Sequence, residues 1–361
     1  MANILVLWSH HSGYLHGCLQ ELSRHADVIA VFFEPAEEAP FSKDYFSDAN
    51  YSIVWINRAS NKIADLIAAK LVFFRADLCL CSGWHHHFYL HYLSSSLKDE
   101  CIRVLCFDWQ WTPIFRNYLK ALYGSLYRSK LFHACFVPGE RQFQFAKRVG
   151  FRARYIYQGL YSASPNSSQW ISWGERRNRI VFIGRLVESK GCAQLAAAWN
   201  KLQANNLASS SWSLDIFGVG PLEPLFLQLN NCNLYGFLQP GELAMELASS
   251  KILCAPSLVE PWGVQIHEAT LAGLAVVASD ACGSAVHLVK SGFNGEIVPN
   301  GDITSLSSSL DRLTQLDEPV YRALEKYGSC SRLLSGQYSP MIWANTVMNM
   351  LACSSQFVTR A

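Results

Sequence analysis

With 361 residues, half of them apolar, the chain is long enough for two domains of ordinary size, each with its own core. No apolar run reaches the roughly 18 to 20 residues of a membrane span, and the opening MANILVLWSHHSG lacks the basic start and long apolar centre of a secretion signal, so a cytoplasmic protein is expected. The formal charge of +2 is near balance, and the twelve cysteines sit in apolar strand-like runs such as CLC (79–81) and ILCAP (252–256), where they read as free buried thiols rather than disulfides.

In chain order, the first half gives strand candidates at 4–8, 28–33, 53–56, 78–81, 104–107, 134–137 and 155–157. Helical patterns such as YLHGCLQELSR (14–24) and KIADLIAAKLVFF (62–74) lie between them. Such alternation predicts a parallel sheet with helices on both faces. The triple histidine at 85–87 follows the fourth strand. With Cys81 and His91 it can be drawn as a zinc site, but adjacent residues rarely point at one ion and no second Cys/His cluster supports it, so no metal is expected. His85 is the candidate for contact with a substrate, and packing or exposure is the default for the other two.

Charge is uneven further on. Between Trp109 and Gly174 the only acid is Glu140, against Arg116, Lys120, Arg128, Lys130, Arg141, Lys147, Arg148, Arg152 and Arg154. Within this stretch IFRNYLKALYGSLYRSKLF (114–132) mixes cations with Phe, Tyr and Leu at helical spacing. That suits a helix lying on an anionic membrane surface at the inner face of the membrane, and equally a solvated helix beside a core. Nucleic acid is disfavoured because no binding motif accompanies the charge. SASPNSSQWISWGERRN (162–178) then reads as a linker.

After it the alternation restarts, with strands expected at 180–183, 214–217, 233–235, 252–255, 276–278 and 296–298. Two such domains create a cleft at the carboxyl ends of their strands, where ligands bind. At the first strand end, RIVFIGRLVESKG (179–191), the strand finishes at Gly184. Arg185 follows, and Lys190 falls at the expected start of a helix, so two cations and a helix amino terminus can converge on a diphosphate. At the second, LDIFGVGPLEPLF (214–226), Gly218 and Gly220 permit close approach of a ligand or simply a tight turn. At the third, a loop 257–263 precedes a helical pattern. The amides of Gly263, Val264 and Gln265 would be free for phosphate oxygens, and Glu268, one turn further, suits the vicinal hydroxyls of a ribose. Glu260 would face the other end of the same ligand. The segment 338–355 reads as a final helix with Pro340 near its start.

Taken in order, GRLVESKG, FGVGP, LYGFL, APSLVEPWG with Glu268 eight positions after Glu260, and GFNGEIVPNGD resemble the retaining glycosyltransferases of family 4, most strongly over 179–310. The resemblance implies an α/β fold of the GT-B type: two Rossmann-like domains whose parallel sheets face a central cleft. It implies an acceptor-side domain at 1–165, a donor-binding domain at 166–340 and a last helix at 341–361 crossing back to the first domain. Arg185 and Lys190 then resemble the pair that neutralises the donor diphosphate, Glu268 the ribose ligand, and Glu260 the carboxylate beside the transferred sugar. Leu238 resembles the backbone position that reads the base, and Gly13 the glycine of the loop closing over the diphosphate, although paired glycines are usual there. Gly184 closes the strand before the cation pair. Many members carry a donor-touching histidine where this chain has Asp108, so either Asp108 or a histidine of 85–87 takes that contact. His287 stands near a position where an acid is common.

No Asp-x-Asp occurs in the chain. Stabilisation of the leaving group is therefore expected from Arg185, Lys190 and helix amides, without cofactor or metal, in a front-face transfer from a nucleotide-sugar, UDP being the expected nucleotide. The acceptor expected is a saccharide or lipid-linked saccharide. The alternative is a sugar-nucleotide epimerase or hydrolase on the same architecture. A dinucleotide oxidoreductase is disfavoured because ILVLWSHHSGYLHG lacks G-x-G-x-x-G.

Overall fold

The computed structural model describes residues 1–34, 41–58, 60, 62–112, 114–128, 131–163, 171–205, 211–315 and 318–353. The central part of the expected linker, with the expected boundary at 165/166, lies outside the described residues, as do positions 129 and 130 of the basic stretch and the end of the last helical segment beyond 353. The chain divides into two compact units, Met1–Ser164 with Tyr338–Ala361, and Pro165–Gln337.

The first unit holds β1 (Ala2–Leu7), β2 (Ala26–Phe33), β3 (Ser52–Ile56), β4 (Leu78–Ser82), β5 (Ile102–Cys106), β6 (Ala134–Val137) and β7 (Ile156–Gln158). They form one parallel sheet in the order β3-β2-β1-β4-β5-β6-β7. Parallel strands need crossovers, and these cover both faces. Because side chains alternate along a strand, Leu5 and Leu7 join a core with Tyr89, Leu93 and Phe145, while Ile4 and Val6 join another with Leu15, Leu19 and Trp343. Each such burial contributes about 1.5–3 kcal/mol relative to exposure. Trp343 comes from the helix Pro340–Ala352, whose amino end is fixed by Pro340 and by Ser339 Oγ accepting from the amide of Ile342. This helix packs in the first unit against the helix Gly13–Leu22, and the Trp343 indole donates to the carbonyl of Leu160 at 2.9 Å.

The second unit holds β8 (Arg179–Ile183), β9 (Ser213–Phe217), β10 (Cys232–Gly236), β11 (Ile252–Ala255), β12 (Ala275–Ser279) and β13 (Gly295–Val298). These too are parallel, in the order β10-β9-β8-β11-β12-β13. In each sheet the order reverses beside the first strand of the unit, between β1 and β4 and between β8 and β11. Chain leaving the two strands departs in opposite directions there, which opens a crevice at their carboxyl ends. All twelve cysteines are free, nine of them buried. No helix among the described residues is long and apolar enough to cross a membrane.

One close approach fixes the loops after β8 and β9. Gly218 has φ +149°, and a Cβ there would lie 1.9 Å from the carbonyl oxygen of Gly184. Gly184 N donates to Phe217 O at 3.0 Å and Leu186 N to Val219 O at 2.9 Å. The neighbour that requires glycine is thus the backbone of the adjacent loop. Gly218→Ala is expected to destabilise the protein by about 2 kcal/mol or more through backbone strain and overlap. Urea unfolding checks this: the midpoint should fall, and an unchanged midpoint would show that the two loops part freely.

Candidate active site

The crevice between β8 and β11 gathers most of the residues singled out from the sequence. The loop Gly184–Lys190 leaves β8, and the loop Pro256–Gly263 leaves β11. They are joined by the amides of Leu258 and Val259, which both donate to Ser189 O, at 2.9 and 3.0 Å. Lys190 closes a short turn, Glu188–Lys190, and is separated by Gly191 from the helix Cys192–Asn205. It therefore stands just before that helix rather than at its first residue. Its aliphatic stem runs over Gly184, and its ammonium donates to Glu260 Oε2. The side chain of Gln265 donates to the same oxygen at 3.3 Å. Glu260 is itself buried, and its backbone is tied to Cys282 and Gly283 in the loop after β12.

The sequence places Lys190 and Arg185 where both can converge on one diphosphate. The structure gives them different states: Lys190 is neutralised by Glu260, while Arg185 is exposed and pairs with no acid among the described residues. A partly buried ion pair of this kind is costly to desolvate, and removing one partner leaves the other charge uncompensated.

Beyond Glu260, Gly263 turns the chain with φ +95° and acts as the amino-terminal cap of the helix Val264–Leu271. Its carbonyl accepts from Ser284 Oγ at 3.0 Å. Gly263 carries no side chain to cap the first turn. The earliest backbone bond there is Ile266 N to Gly263 O, so the amides of Gly263, Val264 and Gln265 have no backbone acceptor among the described residues. Glu268 lies one turn further in. It is half-buried and its carboxyl has no hydrogen-bond or ion-pair partner among the described residues, so removal from water alone pushes its pKa up to about 7. At the end of β10, Leu238 follows Gly236 by two residues, half-buried, with neither N–H nor C=O taken by another backbone group among the described residues. His287 is half-buried beside Trp262, ring centres 5.6 Å apart.

In the first unit the crevice lies between β1 and β4. Gly13 opens the helix Gly13–Leu22 behind Ser12, whose buried hydroxyl caps nothing and has no partner among the described residues. His85 is exposed, with its ring folded back over Gly83 and 5.9 Å from that of Trp109; nearby protein holds its imidazole below the usual range. His86 is held lower, at about 4, first by desolvation and then by its neighbours His85, His10 and Arg58, which disfavour a further positive charge. Asp108 is half-buried and accepts from the Tyr161 hydroxyl at 3.3 Å. No group of three or more His, Cys, Asp or Glu side chains disposed to hold a metal occurs among the described residues.

A chain of hydrogen bonds that no sequence motif announces runs from exposed Asp48 to the buried residues His16, Tyr51 and His11. Asp48 Oδ1 contacts His16 Nε2 at 3.0 Å, His16 Nδ1 contacts Tyr51 Oη at 2.8 Å, and His11 Nε2 contacts the same oxygen at 2.8 Å. The carboxylate fixes the proton of neutral His16 on Nε2. Tyr51 then donates to His16 Nδ1 and accepts from His11 Nε2–H. Burial pushes His11 down to about 3, so it stays neutral. His11 and His16 lie in one short segment, while Asp48 and Tyr51 lie in another some 35 residues away.

Residues 165–329 match the family described as glycosyl transferases group 1. This corrects the family drawn from the motifs: the matching family is group 1, not family 4. Among curated proteins, the chain is 31% identical over 163 residues to the MMP alpha-(1->4)-mannosyltransferase of Mycolicibacterium hassiacum, covering 44% of this chain and 39% of that protein. It is 30% identical over 181 residues to an uncharacterized glycosyltransferase of Methanocaldococcus jannaschii, covering 45% of each. The matched stretch thus spans less than half the length of these relatives. Among solved structures, HepE of Anabaena in complex with UDP and glucose superposes with a TM-score of 0.77 at 14% identity, over 98% of this chain and 100% of that one. Sucrose-phosphate synthase of Thermosynechococcus elongatus gives 0.73 at 13% identity, over 100% of both chains. The fold is therefore GT-B-like, with two Rossmann-like domains built on parallel sheets.

The state of Glu268 gives a pH test. With a pKa near 7 it ionises as pH rises from 6 to 8, and the ionised form is the stronger acceptor for hydroxyl donors. Affinity for a nucleoside diphosphate should rise across that interval. In Glu268→Gln the rise should shrink to whatever the phosphate's own titration contributes. Calorimetry at several pH values checks this, and identical profiles for both proteins would remove Glu268 from the ligand.

Proposed function

We propose that the chain is a retaining glycosyltransferase that moves a hexose-type sugar from a UDP-sugar to a saccharide or lipid-linked saccharide in polysaccharide or glycoconjugate synthesis. The observation that carries this reading is the pairing of opposite demands within one crevice. A cation and helix amides suited to a diphosphate stand one helical turn from a carboxylate suited to hydroxyls, and neither the amides nor that carboxylate has a partner among the described residues. The match to glycosyl transferases group 1 and the likeness to HepE, described with UDP and glucose, support it. The donor belongs to the second unit and the acceptor to the first. A lipid-linked acceptor would bring the protein to the inner face of an anionic membrane.

In this mechanism the donor diphosphate takes Lys190 from Glu260, with Arg185 and the amides of Gly263, Val264 and Gln265 adding positive potential. Leu238 offers its free backbone groups to the base, and Glu268 holds the ribose. Released from Lys190, Glu260 accepts hydrogen bonds from hydroxyls of the transferred sugar. As the bond from C1 to the phosphate oxygen breaks, the acceptor oxygen bonds to C1 on the same face and its proton passes to the departing phosphate oxygen. Fixed charges aimed at the developing negative charge need no reorganisation at that moment. In the first unit, Gly13, Asp108 and His85 are the residues this reading assigns to substrate contact.

Lys190→Ala should lower turnover about a hundredfold or more, the scale set by losing one preorganised stabiliser of an oxyanion. Arg185→Ala, at an exposed site, should weaken donor binding without changing the unfolding temperature. The assay pairs UDP-sugars with saccharide acceptors and reads the anomeric configuration of the product by NMR. A glycosylated acceptor of retained configuration is expected. Epimerised donor or free sugar as the sole product, or full turnover in Lys190→Ala, would overturn the reading.

A further inference from the structure

One helix of the first unit is amphipathic in the reverse sense. In Phe115–Tyr123 and the wider-turned stretch Gly124–Arg128 that continues it, the residues turned inward are small. Ala121 and Gly124 are buried, and a Cβ at Gly124 would lie 2.7 Å from the ring of Trp84. The residues turned to solvent are large and apolar: Phe115, 78% exposed, with Tyr118, Leu119 and Leu122, all at least half exposed. Positions 115, 118, 119 and 122 form a single stripe along a helix, and Ile114, Tyr123 and Leu126 extend it, exposed as well.

Such a stripe is unfavourable against water, and large exposed apolar patches mark surfaces that meet another phase or partner. Cations stand around it. Arg116 is exposed on its flank, and Lys120 lies over Trp109 at 5.2 Å. Trp111, whose ring meets that of Tyr118 at 4.8 Å, carries Arg148 at 4.4 Å. From Trp109 to Gly174 only Glu140 opposes nine lysines and arginines. An apolar stripe bordered by cations is complementary to the surface of a bilayer containing anionic lipids.

We propose that this helix docks the protein on an anionic membrane, with Phe115, Tyr118, Leu119 and Leu122 entering the headgroup boundary and Arg116 and Lys120 meeting lipid phosphates. The docking does not depend on the glycosyltransferase reading. Its consequence for the acceptor does: Trp109 connects Lys120 to His85, so under that reading the docked face lies beside the acceptor loops and a lipid-linked acceptor would reach them from the bilayer.

Flotation of the full chain with vesicles tests the docking without any assay of turnover. The chain should rise with phosphatidylcholine vesicles containing phosphatidylglycerol at low salt, less so at high salt, and not with phosphatidylcholine alone. The variant Phe115→Ser/Leu119→Ser/Leu122→Ser should lose about tenfold or more in vesicle affinity while its unfolding temperature stays level or rises. Arg116→Glu with Lys120→Glu should reduce binding to anionic vesicles selectively. Absence of flotation at low salt, or undiminished binding by the triple variant, overturns the proposal. So does a dimer in sedimentation that the triple variant converts to a monomer, since a second copy would then cover the stripe.

Discussion

The candidate site of the second unit is organised around one ion pair placed where strand order reverses. β8 and β11 send their loops in opposite directions, and Lys190 and Glu260 meet across the gap. Each charge offsets part of the other's desolvation, since taking an ion out of water is costly unless it is paired. Each therefore holds the other in place, and the surrounding backbone holds both. Ser189 receives two amides from the opposite loop, and the loop after β12 supports the backbone of Glu260. The result is a cation kept in position without ligand and available to a stronger anion.

Around this pair the chain arranges groups of opposite preference at short range. The uncapped amides at 263–265 favour negative charge, while the carboxyl of Glu268 would repel it. These groups are compatible on one ligand only if it is anionic at one end and rich in hydroxyls at the other. The raised pKa of Glu268 fits that division, since a carboxyl with no partner among the described residues is left to be satisfied from outside.

The first unit shows where local sequence stops being informative. SHHSGYLH displays three histidines, but their fates differ: His11 and His16 are buried against Tyr51, whereas His10 meets Arg58. Tyr51 and Arg58 come from the chain around β3, so nothing in the histidine spacing separates these outcomes. The basic helix illustrates the same limit in another way. Its periodicity is plain in the sequence, yet a stripe of Phe, Tyr and Leu reads as the buried face until the small residues Ala121 and Gly124 are seen to occupy that role.

The sequence by itself determined the two parallel sheets. All thirteen predicted strand segments coincide with strands, because alternation of buried β-branched runs with helical patterns is a local property governed by side-chain period. It also pointed to Lys190, Glu260 and Glu268, since loops at the carboxyl ends of such strands are where ligand groups gather. Tertiary structure alone decided that Lys190 and Glu260 touch, that Arg185 is exposed, and that Gly218 lies against the backbone of Gly184. It also decided which side of the basic helix faces water. Those outcomes depend on which loops lie next to each other once the strands are ordered, and strand order brings together residues that no spacing along the chain relates.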